Sequence, residues 1–156
     1  MTNINYILAF MLGVFSCLLF IYIFSSGIEM PVGGMIGNVS APSDSIKDNQ
    51  IHVYENAIVI DVENAGISKY AATGSMLPLL DENSNGIRIQ VKSESEINVG
   101  DIITFEKNNE LIIHRVIEKG IDNEGVYFIT KGDNSGMNDS KIRIEQIKYK
   151  TIGVLW

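Results

Sequence analysis

The chain has 156 residues, which is enough for one small domain with an appendage. Its formal net charge is −7 at pH 7, and because an acidic chain without a basic tract repels phosphate, the composition argues against nucleic-acid binding. The single cysteine, Cys17, excludes an intrachain disulfide and a cysteine-rich zinc site. Since the sequence also lacks a nucleotide-binding loop and a metal-ligand cluster, we expect no cofactor and no bound metal.

A membrane anchor is the first element that the sequence predicts, within residues 1–24. Residues 6–24 (YILAFMLGVFSCLLFIYIF) carry no charge and no proline. As an α-helix this run would be roughly 28 Å long, close to the hydrocarbon thickness of a bilayer, and it would satisfy its own backbone in lipid. A cleaved secretory signal is the alternative, and it is disfavoured because the first five residues carry no positive charge and the run is long and aromatic. No Lys or Arg flanks the run closely, so charge leaves its orientation open.

A linker is predicted for residues 25–50, because several glycines loosen this segment and Pro31 and Pro42 interrupt any helix. The globular domain is then expected to begin near Ile51 and to occupy residues 51–156.

The domain is predicted to be mainly β. Segments rich in Ile, Val and aromatic residues alternate with turns of Asn, Asp and Gly, and Lys107-Asn108-Asn109-Glu110 predicts a hairpin turn. The candidate strands are IHVY (51–54), AIVIDV (57–62), IRIQV (87–91), DIITFE (101–106), LIIHRVIE (111–118), VYFITK (126–131) and the final IKYKTIGVLW (147–156). Many short strands at regular spacing indicate a compact, coiled β-domain or distorted barrel, with one transmembrane helix before it.

The first segment that could contribute a reactive side chain is Thr73-Gly74-Ser75-Met76-Leu77-Pro78. Gly74 permits a tight turn that would leave the Ser75 hydroxyl free at a strand end, and Pro78 prevents the chain from continuing as a regular strand. Taken alone, a serine in a turn is more often structural than nucleophilic, because the nucleophile needs a base to take its proton.

Two further segments supply the missing groups. His114 interrupts the apolar strand Ile112–Ile117, and histidine is the side-chain type best suited to proton transfer near neutral pH. The loop Thr130–Asp139 follows a strand and carries Asp133 and Asp139, six residues apart. Each segment alone is more often an ordinary core or surface feature, and the loop lacks the twelve-residue pattern of a calcium-binding EF-hand.

Together these segments contain every group that acyl transfer requires. Ser75 can attack a carbonyl carbon, His114 can take its proton, and one aspartate can orient the imidazole. The backbone N–H of Ser75 and the hydroxyl of Thr73 can stabilise the resulting oxyanion.

The ordered motifs resemble the type I signal peptidases in their archaeal and endoplasmic-reticulum form, which are serine peptidases. The matching stretches are GSM-x-P (74–78), VGDIITF (99–105), HRV (114–116) and KGDN (131–134) with the later Asp139. The resemblance covers roughly residues 70–140, whereas region 51–72 matches nothing, the stretch between Pro78 and Val99 is long, and a Thr precedes Gly74 where Ser is commoner.

The resemblance implies Ser75 as nucleophile, His114 as general base, Thr73 as an oxyanion-hole hydroxyl, and Asp139, or else Asp133, as the orienting carboxylate. It implies the coiled β fold of that family and, as substrates, the signal-peptide regions of exported precursor proteins. It also implies a single-pass protein of the cell membrane with the N-terminus in the cytoplasm and the catalytic domain outside it.

Two other functions are considered. The first is a catalytically inactive, membrane-tethered β-domain that acts as a binding or assembly protein, because a fold alone does not establish catalysis. The second is a relative of the self-cleaving repressors that share this fold, which use a lysine base and a DNA-binding domain. His114, the acidic charge and the apolar run all argue against the second.

Overall fold

A computed structural model describes residues 2–25 and 39–156 of the chain. The chain divides into two compact units, Met1–Gly37 and Asn38–Trp156. The described part of the first unit is one helix, α1 (Thr2–Ser25), which contains the predicted helix 6–24 and leaves Cys17 exposed. Among the residues that the structure describes, no helix meets the combination of length and apolarity needed to cross a bilayer. The membrane anchor therefore stays a prediction, and half of the predicted linker, residues 26–38, lies outside the described residues.

The second unit is mainly β, as predicted. Residues 39–156 contain eight strands: β1 (Ile51–Val53), β2 (Ile58–Ile60), β3 (Ala65–Lys69), β4 (Asn85–Gln90), β5 (Ile102–Lys107), β6 (Glu110–Asp122), β7 (Gly125–Lys131) and β8 (Ile147–Leu155). Short 3₁₀ helices occupy Asp48–Gln50, Glu94–Glu96 and Ile144–Gln146. All seven predicted strands are present. Strand β3 was not predicted, because its sequence Ala-Gly-Ile-Ser-Lys offers a single β-branched apolar side chain.

The strands form two antiparallel sheets. A six-stranded sheet has the order β3-β4-β8-β5-β6-β7, and β1 and β2 pair separately as a two-stranded sheet. The hairpin predicted between β5 and β6 is confirmed, with Lys107 paired to Glu110. Asn108 and Asn109 both have positive φ angles, 52° and 67°, as a two-residue type I′ turn requires.

Strand β6 is long and changes its partner along its length. It pairs with β5 over residues 110–115, and its pairing with β7 starts only at Arg115, opposite Lys131. Residues 110–114 consequently have one free edge within the described domain. Strand β3, at the end of the sheet, likewise has a neighbour on one side only among residues 39–156.

The core consists of two apolar clusters. The larger one lies around Phe105 and Phe128, both with no exposed surface, and includes Ile97 and Ile103. The smaller one joins Met76 and Leu80, from the segment after β3, to Ile102 of β5. The second cluster matters for function, because it fastens the segment around Ser75 to the sheet.

The compact unit begins at Asn38, earlier than the start near Ile51 that the sequence predicts. The backbone N–H and the hydroxyl of Ser43 both donate to Oδ1 of Asp101, each at 2.7 Å, and Asp101 is 1% exposed. Gly100, with φ of +102°, lies so close to the carbonyl of Ala41 that a Cβ there would meet it at 2.1 Å. These contacts attach residues 40–43, part of the predicted linker, to the domain.

Candidate active site

Ser75 lies in a tight turn that follows β3. Gly74 has a φ of +69°, a conformation that favours glycine, and the turn closes with the N–H of Leu77 donating to the carbonyl of Gly74 at 3.3 Å. The next side chain, Met76, is 3% exposed and packs in the smaller apolar cluster. Met76 fixes the turn from below, and the half-buried Ser75 lies above it.

The Ser75 hydroxyl has the Thr73 hydroxyl as its neighbour. The two oxygens are 3.3 Å apart, and the backbone N–H of Ser75 lies 3.5 Å from Thr73 Oγ1. The two predicted oxyanion donors are therefore adjacent to each other and to the candidate nucleophile. The N–H···O distance is long, so this contact is weak and competes little with a more strongly accepting oxygen.

His114 is held by Asp139. Nδ1 of His114 and Oδ2 of Asp139 are 2.6 Å apart, and both side chains are largely buried, with 14% and 17% of their surface exposed. The Thr130 hydroxyl donates to the same carboxylate oxygen at 2.7 Å, and the N–H of Asp139 donates to the Thr130 carbonyl at 2.7 Å. With the carboxylate accepting at Nδ1, Nε2 remains available as the proton acceptor.

Asp133, the other candidate carboxylate, binds Arg115 instead. Nε and Nη2 of Arg115 donate to its two oxygens at 2.8 and 2.7 Å, and Nη1 donates to the carbonyl of Gly100 at 2.8 Å. His114 and Arg115 are neighbours on β6, so their side chains point to opposite faces. Each face receives one of the two aspartates, and Asp139 is the one that reaches the histidine.

Gly132 lies between His114 and the turn of Ser75. A Cβ on Gly132 would be 2.5 Å from the Ser75 carbonyl oxygen and 3.0 Å from Nε2 of His114. Asn134, two residues after Gly132, ties the two segments together, because its N–H donates to the Ser75 carbonyl at 2.9 Å and its Nδ2 donates to the Gly74 carbonyl at 3.1 Å. Only a residue without a side chain fits this close approach.

The Ser75 hydroxyl and the His114 ring are not hydrogen-bonded to each other within residues 39–156. They face the same cavity of about 540 Å³, and the Ser75 backbone and Nε2 of His114 both border Gly132. Catalytic hydrogen bonds are often long before substrate binds and tighten in the complex. The arrangement thus brings Ser75, His114 and Asp139 to one site, without a hydrogen bond between the Ser75 hydroxyl and the His114 ring.

The cavity is lined by two strands that have free edges, β3 and the first part of β6. Its walls include Ser68, Lys69 and Tyr70 at the end of β3 and residues 110–114 of β6, with Thr104 between them. Met76 and Leu80 form an apolar floor beside Ser75. A cavity bounded by two unpaired strand edges can accept an extended peptide that pairs with one or both of them.

Three residues that contribute to the site were given no role by the sequence. Thr130, Gly132 and Asn134 lie in the loop that the sequence selected for its two aspartates. A glycine and an asparagine directly after a strand indicate a turn, but their contacts with Ser75 depend on a segment more than 50 residues earlier.

Comparison with known proteins adds no family assignment. A scan against models of known protein families finds no match, and a search of curated proteins finds none either.

Proposed function

We propose that this protein is a serine endopeptidase with Ser75 as nucleophile, His114 as general base and Asp139 as the residue that orients His114. One observation carries the proposal. The 2.6 Å contact between His114 Nδ1 and Asp139 Oδ2 belongs to a histidine that faces the same cavity as Ser75. A carboxylate in this position holds the imidazole in one tautomer and stabilises its cation as the serine gives up its proton.

In the proposed reaction, Ser75 Oγ attacks the carbonyl carbon of the scissile peptide bond as its proton moves to Nε2 of His114. The carbonyl oxygen becomes an oxyanion that accepts hydrogen bonds from the Ser75 N–H and the Thr73 hydroxyl. His114 then gives its proton to the leaving amine, and the C–N bond breaks to leave an acyl-enzyme on Ser75. Water, deprotonated by His114, attacks the ester and restores the serine.

The proposed substrates are exported precursor proteins, cut near their signal peptides. This follows the resemblance of the ordered motifs to signal peptidases, and the cavity is compatible with it. An extended segment can pair with the edge of β3 or with residues 110–114 of β6, while small side chains before the cut fit against Met76 and Leu80.

The membrane anchor and the placement of the domain outside the cytoplasm are also proposals, which rest on the apolar run 6–24 and on the resemblance. Sedimentation of the full chain after cell lysis tests them. Recovery in the membrane pellet after a carbonate wash supports an anchor, and recovery in the supernatant contradicts it.

Cleavage of a signal-bearing precursor by the full chain in detergent tests the enzymatic proposal. Ser75→Ala and His114→Ala are each expected to lower the rate by about 10⁴-fold or more, because members of such a triad act as a unit. Ser95→Ala and His52→Ala are matched controls, since Ser95 and His52 are exposed and distant in sequence from the site. Cutting that survives Ser75→Ala would refute the assignment.

The alternative of a binding or assembly protein is favoured by one observation, the open contact between Ser75 and His114. Under this alternative the wild-type chain would bind a precursor peptide in the cavity and leave it intact. A fluorophosphonate probe separates the two functions, because it labels an activated serine without needing the right substrate. Labelling that requires both Ser75 and His114 supports the peptidase, and wild-type protein that resists the probe supports the binding protein.

A further inference from the structure

Arg88 lies on β4, the strand that pairs with β3. It lines the cavity wall, and its guanidinium carbon is 4.0 Å from the centroid of the Tyr149 ring. Its strand partner on β3 is Gly66, whose missing side chain leaves the Arg88 side chain room to lie across β3. The guanidinium is therefore positioned by stacking and its donors are not all used by that contact.

Within residues 39–156, Arg88 differs from the two other arginines in having no carboxylate partner. Arg115 binds Asp133, and Arg143 binds Asp122 and Glu124. Among the described residues the Arg88 side chain forms neither a salt bridge nor a hydrogen bond. A preorganised guanidinium in a cavity wall is suited to bind the carboxylate of a ligand in a bidentate manner.

The charge of the cavity wall is opposite in sign to that of the whole chain. Arg88 and Lys69 line the wall formed by β3 and β4, and Glu110 is the single acidic residue of the cavity lining. The chain as a whole carries a net charge of −7. A cationic wall in an acidic protein attracts a negatively charged group to this cavity more than to the rest of the surface.

The rise per residue along β3 gives the distance between Arg88 and the part of the cavity next to Ser75. Gly66, the partner of Arg88, precedes Tyr70 by four residues on the wall that leads to Ser75. Strand residues rise about 3.3 Å each, so Arg88 is roughly 13 Å along the wall from the part of the cavity next to Ser75. An extended peptide would cover this distance with about four residues.

We propose that Arg88 is a specificity-determining residue that binds an acidic side chain of the substrate about four residues from the scissile bond. This inference rests on the proposed function, because it places a peptide in the cavity next to Ser75 and His114. It assigns the substrate class more narrowly, to precursors with Asp or Glu at one position remote from the cut.

A series of peptides tests the inference. The peptides share one cleavable sequence and carry Glu, Gln or Lys at each position from three to six residues on either side of the cut. For wild-type protein the kcat/KM at one position is expected to be about fivefold higher with Glu than with Gln. Arg88→Gln should bring that ratio to about one, and Arg88→Glu should reverse it in favour of Lys. Lys92→Gln removes an exposed cation outside the cavity and should leave the ratio and the basal rate unchanged.

Binding of the same peptides, labelled with a fluorophore, is also measured by fluorescence anisotropy. The two proteins compared are the Ser75→Ala variant and the double variant with Ser75→Ala and Arg88→Gln. Cleavage with no preference for Glu, or with a preference that survives Arg88→Gln, overturns the role of Arg88 and leaves the peptidase standing. If the peptides bind with a preference for Glu that depends on Arg88, but wild-type protein does not cleave them, Arg88 recognises the acidic side chain and the proposed peptidase activity is refuted. Absence of both cleavage and binding refutes both.

Discussion

Replacing Gly132 by alanine is expected to lower catalysis sharply while the domain stays folded. The new Cβ would stand 2.5 Å from the Ser75 carbonyl oxygen and 3.0 Å from Nε2 of His114. It would therefore displace Ser75 and the His114 ring, between which a proton moves in the proposed reaction. The N–H of Asn134 holds the same Ser75 carbonyl, so this loop cannot move away without losing that contact.

The magnitude follows from the size of the overlap. Non-bonded heavy atoms are in favourable contact at about 3.5 Å, so the Ser75 carbonyl and residue 132 must separate by about 0.5–1 Å. A misplacement of about 1 Å in a catalytic arrangement lowers the rate by about 10²-fold. We expect kcat/KM to fall about 10- to 100-fold. Overpacking of this kind costs about 1–3 kcal/mol of unfolding free energy, which leaves a folded majority in a domain of ordinary stability.

The assay is cleavage of a precursor by full-length wild type, Gly132→Ala and Gly136→Ala, each checked for folding by circular dichroism and thermal melting. Gly136 is the matched control, because it lies in the same loop and a Cβ there would have no atom within 4 Å. Gly136→Ala should cleave at the wild-type rate. Wild-type activity in Gly132→Ala would refute the reasoning, and so would an equal loss in both variants.

Three other substitutions separate chemistry from folding. Asp139→Asn should lower kcat by about 10³–10⁴-fold at unchanged melting temperature, because the imidazole loses its orienting carboxylate. A precursor cleavage assay and a thermal melt measure the two quantities, and a normal kcat would contradict the proposed role of Asp139. Asp133→Asn should instead remove the carboxylate partner of the buried Arg115 guanidinium and lower the unfolding free energy by about 3–5 kcal/mol. Urea titration measures this free energy, and unchanged stability would contradict the contact. Gly100→Ala should destabilise the domain and speed amide hydrogen exchange in residues 40–43, because the new Cβ would overlap the carbonyl of Ala41. Unchanged exchange rates in these residues would contradict their attachment to the domain through Gly100.

Hydrogen-bonding and packing preferences that act locally made several features predictable. The β-branched strands and the Asn108-Asn109 turn follow from residues that favour these conformations in any fold. The tight turn at Ser75 was predictable because Gly74 can adopt a positive φ. Strand β3 was missed because its pairing with β4 compensates for a sequence of low β propensity.

The sequence by itself determined the mainly β class of the domain, the turn at Ser75 and the small set of side chains from which a serine peptidase site can be built. It left open which aspartate reaches His114, because that contact joins residues 25 apart. Only the tertiary structure decided it, since the path of the loop after β7 and the alternation of side chains along β6 place Asp139 on the face of the histidine and Asp133 on the face of Arg115. The free strand edges around the cavity were decided in the same way, because strand order and register depend on contacts between distant segments that local residue preferences do not encode.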